Sequence, residues 1–184
     1  MPARNVLSRA LRLLTLAAVL GTGAAHADDY AEVNQLLRAG NSAEAIARAD
    51  RYLAGNARDP QMRFLKGVAQ TDAGQKDAAI ATFKALNEEY PELAEPYNNL
   101  AVIYAGDGDV DKAKAALEQA VRNNPTYAVA HENLGDIYAR LAYQSYLRSQ
   151  NLDPRAATHL RPKLTQLRSM LEPAAAAAAA AKKK

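Results

Sequence analysis

Residues 94–125 read AEPYNNLAVIYAGDGDVDKAKAALEQAVRNNP, and this stretch decides the fold. Its first half places Tyr97, Leu100 and Tyr104 at helical spacing, and its second half continues that spacing from Ala113 to Val121. The GDGD segment between the halves favours a turn, and the Asn-Pro pair at the end stops the second helix. The stretch therefore predicts a hairpin of two helices.

The same pattern recurs once before and once after this stretch, at a constant interval. A forward shift pairs Ala101 with Gly135, and a backward shift pairs Ala101 with Gly67 and Ala113 with Ala79. The small residues in the first helix are expected to allow close helix approach, and the two alanines are expected where helices cross. Large side chains at these places would push the hairpin apart.

A 34-residue helix-turn-helix unit with these small residues and a terminal proline resembles the tetratricopeptide repeat (TPR) family. The resemblance implies an all-α fold, a TPR-type α-solenoid of helix-turn-helix repeats with a C-terminal capping helix. The array is predicted over residues 28–153. Its four repeats are placed at about 28–57, 60–91, 94–125 and 128–154.

The fourth repeat lacks its turn. The interval from the small residue to the following alanine is the same in the second and third repeats, but in the fourth, from Gly135 to Ala142, it is shorter by five positions. No glycine or proline lies between Gly135 and Pro154, so nothing local makes the chain reverse. We predict one long helix from Ala128 to about Asn151. Residues 154–172 then supply a leucine stripe for a capping helix.

The N-terminal segment, residues 1–27, has the pattern of a secretory signal peptide. Three arginines precede an apolar run, and Ala25 and Ala27 form an A-x-A site. A membrane anchor is the alternative, but the apolar run is shorter than the ~20 residues that span a bilayer. We predict cleavage after Ala27 and export to the periplasm or cell envelope of a Gram-negative bacterium.

The C-terminal segment, residues 173–184, is a low-complexity run of alanines followed by three lysines. It has no apolar face large enough to dock, so a frayed or disordered extension is predicted. The alternative is a weak electrostatic tether to anionic lipid or an envelope polymer, worth about 1 kcal/mol per lysine.

Composition and charge narrow the function. The chain has no cysteine, which excludes disulfides, thiolate catalysis and cysteine-rich zinc sites. Positive charge is concentrated at the ends, so residues 28–153 hold 13 basic and 19 acidic residues, a net charge of −6. An acidic body argues against nucleic acid as a ligand.

No catalytic constellation is present in the sequence. His131 and His159 lie on separate predicted helices, and the common nucleophile, zinc and phosphate-binding motifs are missing. His131 is predicted to serve packing or the start of a helix. The acids in the DGDVD turn after Gly106 invite a calcium interpretation, but helix capping is favoured because the EF-hand glycine is replaced by Lys112. Neither an enzyme nor a bound cofactor is expected.

The TPR resemblance implies a peptide-binding groove on the first helices of successive repeats. The implied site residues are Phe64, Leu65, Val68, Asn98, Asn99, Val102, Glu132, Asn133 and Asp136. Asn99 and Asn133 are the sharpest candidates, because a solvent-facing amide can donate to and accept from a peptide backbone. The alternative is that these asparagines bond locally. The apolar residues and the acidic C-terminal end suit a peptide with a basic end.

The predicted function is therefore a non-enzymatic scaffold of the periplasm or cell envelope that binds another protein or a peptide segment of it. The alternative is a structural or membrane-peripheral envelope protein, tethered by its lysine tail and self-associating through the long fourth helix. The second possibility would make the protein a homo-oligomer.

Overall fold

The structure, a computed structural model, describes residues 24–172. Most of the predicted signal peptide and the whole predicted tail lie outside these residues. Within them the chain forms eight α-helices, one 3-10 turn and no strand, as the all-α prediction requires. The helices are α1 Ala24–Ala39, α2 Ser42–Leu53, α3 Pro60–Asp72, α4 Lys76–Glu89, α5 Glu95–Gly106, α6 Val110–Asn123, α7 Ala128–Leu152 and α8 Ala157–Leu171, with the 3-10 turn at Pro154–Ala156.

Three hairpins share one turn geometry. Gly40, Gly74 and Gly108 occupy the same position in successive repeats and have φ values of 78°, 74° and 80°, which favour glycine because it has no Cβ. The amide after each glycine donates to a carbonyl in the last turn of the preceding helix, with donor–acceptor distances of 2.8–2.9 Å. The predicted hairpins of the first three repeats are therefore confirmed.

The core consists of two clusters of buried side chains that follow one another along the stack. Phe83 and Met62 are fully buried in the first, and Leu117 is 1% exposed in the second. Ala79 and Ala113 are both 0% exposed, as predicted for helix crossings. Contacts between neighbouring helices thus replace a single central core.

The small residues inside the first helices have different surroundings. A Cβ atom added to Gly67 would lie 2.5 Å from Cε1 of Phe83, so close packing is confirmed there. A Cβ at Gly135 would meet no atom within 4 Å, and Gly135 is exposed, so the prediction is wrong at that position. The physical reason is the missing turn, since the chain continues past Gly135 without bringing a second helix back over it.

Helix α7 is continuous from Ala128 to Leu152, which confirms the predicted long helix. Its 25 residues span about 38 Å. The 3-10 turn then reverses the chain, and α8 packs along the second half of α7, with Leu160 4% exposed and Nζ of Lys163 5.2 Å from the ring centroid of Tyr146. Even so, no helix described between residues 24 and 172 is long and apolar enough to cross a membrane.

The acids of the α5–α6 turn stand at the predicted positions, Asp109 at the N-cap of α6 and Asp111 in its first turn, but the predicted side-chain capping by Asp109 is wrong. Asp109 precedes α6 but accepts no hydrogen bond from its backbone; it pairs with Lys112 at 2.6 Å, and Asp107 pairs with Lys76. A long lysine side chain can reach these exposed carboxylates, so they form ion pairs instead of accepting hydrogen bonds from the α6 backbone. Among residues 24–172, no cluster of His, Cys, Asp and Glu is suited to hold a metal ion.

Candidate functional site

The nine residues implied by the resemblance lie at equivalent positions on α3, α5 and α7. Helix α5 contacts both α3 and α7, so these positions form one continuous strip of the array. The strip is not uniform, because its α3 end is buried and its α7 end is more open. The buried α3 end and the more open α7 end can therefore have different roles.

The apolar end of the predicted groove belongs to the core. Phe64, Leu65 and Val68 are 8–9% exposed and lie in the first core cluster. The ring centroid of Phe64 is 5.9 Å from that of Phe83. The expectation that these side chains form an open apolar groove is wrong, because helices on both sides of α3 cover them.

The asparagines are buried, which contradicts the expectation that Asn99 and Asn133 face solvent. Asn98, Asn99 and Asn133 are 1%, 3% and 7% exposed. Nδ2 of Asn133 donates to Oδ1 of Asn98 at 2.8 Å, and this hydrogen bond joins α7 to α5. Nδ2 of Asn99 donates to the carbonyl oxygen of Glu95 at 2.8 Å, which is the local bonding predicted as the alternative.

Two polar atoms of these amides have no hydrogen-bond partner within the described residues. They are Nδ2 of Asn98 and Oδ1 of Asn99, a donor and an acceptor on adjacent residues. A buried polar group without a partner costs about 1–3 kcal/mol. Such groups are uncommon in native proteins, and neither Asn98 nor Asn99 lines a described pocket.

A narrow crevice runs between α5 and α7 on the same strip. Val102, Asn133 and Asp136, three of the nine predicted residues, line it together with Arg140, and its floor is apolar, formed by Ala101, Ala105, Leu117 and Ile137. Its volume of about 10 Å³ accommodates about one water molecule. A bound segment would therefore lie across the crevice without inserting a large side chain.

Arg140 was missed by the sequence reasoning. It lies seven residues after Asn133, two helical turns further along the same face, so the spacing alone could have placed it in the site. Its Nε atom is buried without a hydrogen-bond partner among the described residues. The site therefore contains a cation as well as the predicted carboxylate of Asp136.

The remaining predicted residue, Glu132, is exposed at the edge of the strip. Its neighbour His131 is also exposed, and Nε2 of its ring lies 2.9 Å from the carbonyl oxygen of Pro125. This hydrogen bond ties the first turn of α7 to the preceding loop, so the predicted role of His131 at a helix start is confirmed.

Comparison with known proteins agrees with this architecture. Two family models, both described as tetratricopeptide repeat, match residues 30–94 and 94–127. The TPR repeat-containing protein YvcD of Bacillus subtilis is 40% identical over 53 residues, which cover 29% of this chain and 11% of that protein. The chain therefore matches only a small part of this relative's length.

Solved structures show the same fold. The crystal structure of YrrB, described as a TPR protein with an unusual peptide-binding site, aligns with a TM-score of 0.53 and 26% identity over 56% of this chain and 54% of YrrB. That of TTC0263, a TPR protein of Thermus thermophilus, aligns with a TM-score of 0.58 and 25% identity over 77% of this chain and 80% of that protein.

These matches define the class of protein as an α-solenoid built from helical repeats. The chain belongs to the tetratricopeptide repeat family.

Proposed function

We propose that the protein is a non-enzymatic scaffold that binds a peptide segment of a partner protein across the α5–α7 crevice. The observation that carries this proposal is the crevice itself, where Asn133, Asp136 and Arg140 surround an apolar floor. Apolar surface with a few convergent polar groups is the usual composition of a binding site. The peptide-binding site described for YrrB supports the same class of ligand.

The chemistry of the crevice favours an extended segment with net positive charge. The guanidinium of Arg140 can donate to backbone carbonyl oxygens, which an extended peptide presents at regular intervals. Asp136 and the exposed Glu132 attract basic side chains, as does the net charge of −6 over residues 28–153. The small volume selects a small side chain over the crevice.

A peptide-binding experiment tests this function. Selection from a phage-displayed library of unstructured peptides, followed by fluorescence anisotropy with the selected synthetic peptide, is expected to yield basic sequences. Asp136→Asn and Arg140→Gln should each weaken binding by about tenfold, since each removes a charge from the contact. Glu88→Gln is the matched control, because Glu88 is exposed on α4 away from the crevice. Equal affinity in all three variants would place the ligand elsewhere.

We also propose that this scaffold is exported and loses residues 1–27. The contacts described for α1 come from residues after the predicted cleavage site. Val33 is fully buried, the Tyr30 hydroxyl donates to Oδ2 of Asp59 at 2.5 Å, and Arg48 pairs with Asp29 and with Glu32. Removal of residues 1–27 therefore leaves these contacts of the first hairpin in place.

Export has its own test. Residues 1–30 fused to a reporter that is active only after export should give activity, and N-terminal sequencing of the processed protein should begin at Asp28. Ala27→Phe should block processing, whereas the control Ala24→Leu, outside the A-x-A site, should not. An unprocessed N-terminus at Met1 in the unaltered protein would contradict the proposal.

A further inference from the structure

The exposed large apolar side chains of the described residues are concentrated at the C-terminal end. Tyr138, Leu147 and Leu152 on α7 are 48%, 37% and 81% exposed, and Met170 on α8 is 70% exposed. Clustered exposure of this kind marks an interaction surface more often than scattered single residues do. The part of α7 that extends past the third hairpin carries most of this surface.

Part of this surface forms a regular stripe. Tyr138, Leu141, Ser145, Arg148 and Leu152 are spaced three, four, three and four residues apart, so they lie on one face of α7. This is the spacing by which two helices pack side by side in a coiled coil. We call these five residues the α7 stripe.

The chain itself leaves most of this face open, and only Leu141 is partly buried against the second core cluster. The second half of α7 passes the first turn of α6, and the two form a groove of about 560 Å³ lined by Asp111 and by the last four residues of the α7 stripe. Helix α8 packs on another side of α7, where Lys163 lies over Tyr146. A second helix can therefore approach the groove without displacing α8.

The α7 stripe is complementary to itself. When two copies of α7 are placed antiparallel with Ser145 opposite Ser145, the small serines meet at the centre and allow close approach. Tyr138 of one copy then lies opposite Leu152 of the other, so the two most exposed apolar side chains of α7 cover each other. A two-fold interface uses the same patch on both copies, which this pattern satisfies.

Charge is complementary in the same arrangement. Arg148 of one copy enters the groove of the second copy beside Leu141, where Asp111 lines the wall. Within residues 28–172, neither Asp111 nor Arg148 has an ion-pair partner of its own. Two symmetric Arg148–Asp111 pairs would form, one at each end of the contact.

We propose that a second copy of this chain occupies the groove, forming a two-fold dimer through antiparallel α7 helices. The dimer is independent of the peptide proposal, because its residues differ from those lining the α5–α7 crevice. Two α7 helices form only a small interface, so we expect a dissociation constant on the order of micromolar.

Charge reversal tests this dimer on the purified protein by sedimentation equilibrium from about 1 to 200 µM. Arg148→Glu alone and Asp111→Arg alone should each weaken dimerisation by more than about tenfold, since each places like charges opposite each other. An equimolar mixture of the two variants should dimerise again, because both contacts then pair opposite charges. If Arg148 paired with Asp111 of the same chain instead, mixing the two variants would not restore the dimer.

Matched controls separate the α7 stripe from general surface effects. Lys84→Glu reverses an exposed charge on α4 and should leave the dissociation constant unchanged. Leu152→Asp should weaken the dimer, whereas Met170→Asp, at a similarly exposed residue of α8, should not. The proposal is overturned if the protein is a monomer at every concentration. It is also overturned if the single charge variants still dimerise, or if their equimolar mixture stays monomeric. The proposal would also be overturned if deletion of residues 173–184 abolished the dimer while the substitutions at Arg148 and Asp111 left its dissociation constant unchanged.

Discussion

Gly67→Ala is expected to lower the free energy of unfolding by about 1–3 kcal/mol. The added Cβ would lie 2.5 Å from Cε1 and 2.8 Å from Cζ of Phe83, distances shorter than carbon atoms tolerate. The phenyl ring cannot simply move aside, because Phe83 is 0% exposed and packs against Phe64. The α3–α4 hairpin must therefore open by about 1 Å to restore ordinary van der Waals separation between these carbon atoms. Urea denaturation followed by circular dichroism measures the loss.

Gly135→Ala is the matched control and should have the opposite sign. Gly135 occupies the same repeat position, yet it is exposed and an added Cβ would meet no atom within 4 Å. Alanine restricts the unfolded chain more than glycine does, so the free energy of unfolding should rise by about 0.5–1 kcal/mol. Equal destabilisation by the two substitutions would show that a second helix covers Gly135 and that the open face of α7 does not exist.

The hairpins could be predicted from the sequence because their signals are local. A turn glycine and a small residue at a helix crossing depend only on the chain within one repeat, and Gly74, Gly67 and Ala79 each occupy the expected place. The long α7 was predictable for the same reason, since it required only that no turn residue lie between Gly135 and Pro154.

The site was less predictable because burial depends on neighbouring repeats. The family resemblance placed Leu65, Asn99 and Asn133 at equivalent positions of successive repeats, but a repeat pattern does not tell how closely the adjacent helices approach. In this chain α3 and α5 are enclosed, so side chains that would face a wide groove are covered. Arg140 shows the opposite outcome. It lies beyond the residues implied by the family resemblance, yet it lines the crevice.

The buried amide bridge between α5 and α7 is expected to be a stability element. Asn133→Ala removes the donor to Oδ1 of Asn98 and leaves that oxygen buried without a partner, as Nδ2 of the same residue already is. The free energy of unfolding should fall by about 1–3 kcal/mol. Asn151→Ala, at an exposed position of α7, is the control and should change it by less than about 0.5 kcal/mol.

A double variant separates a structural bridge from a ligand contact. In Asn98→Leu with Asn133→Leu both amides are replaced by apolar groups of similar size, so no buried donor or acceptor of that pair remains. The double variant should therefore be less destabilised than Asn133→Ala, because the cost lies mainly in leaving one partner unpaired. Its affinity for the selected peptide reports separately on recognition, since Asp136 and Arg140 are retained. If Asn133→Ala leaves stability unchanged but abolishes peptide binding, Asn133 contacts the ligand directly and the bridge to Asn98 contributes nothing to the fold.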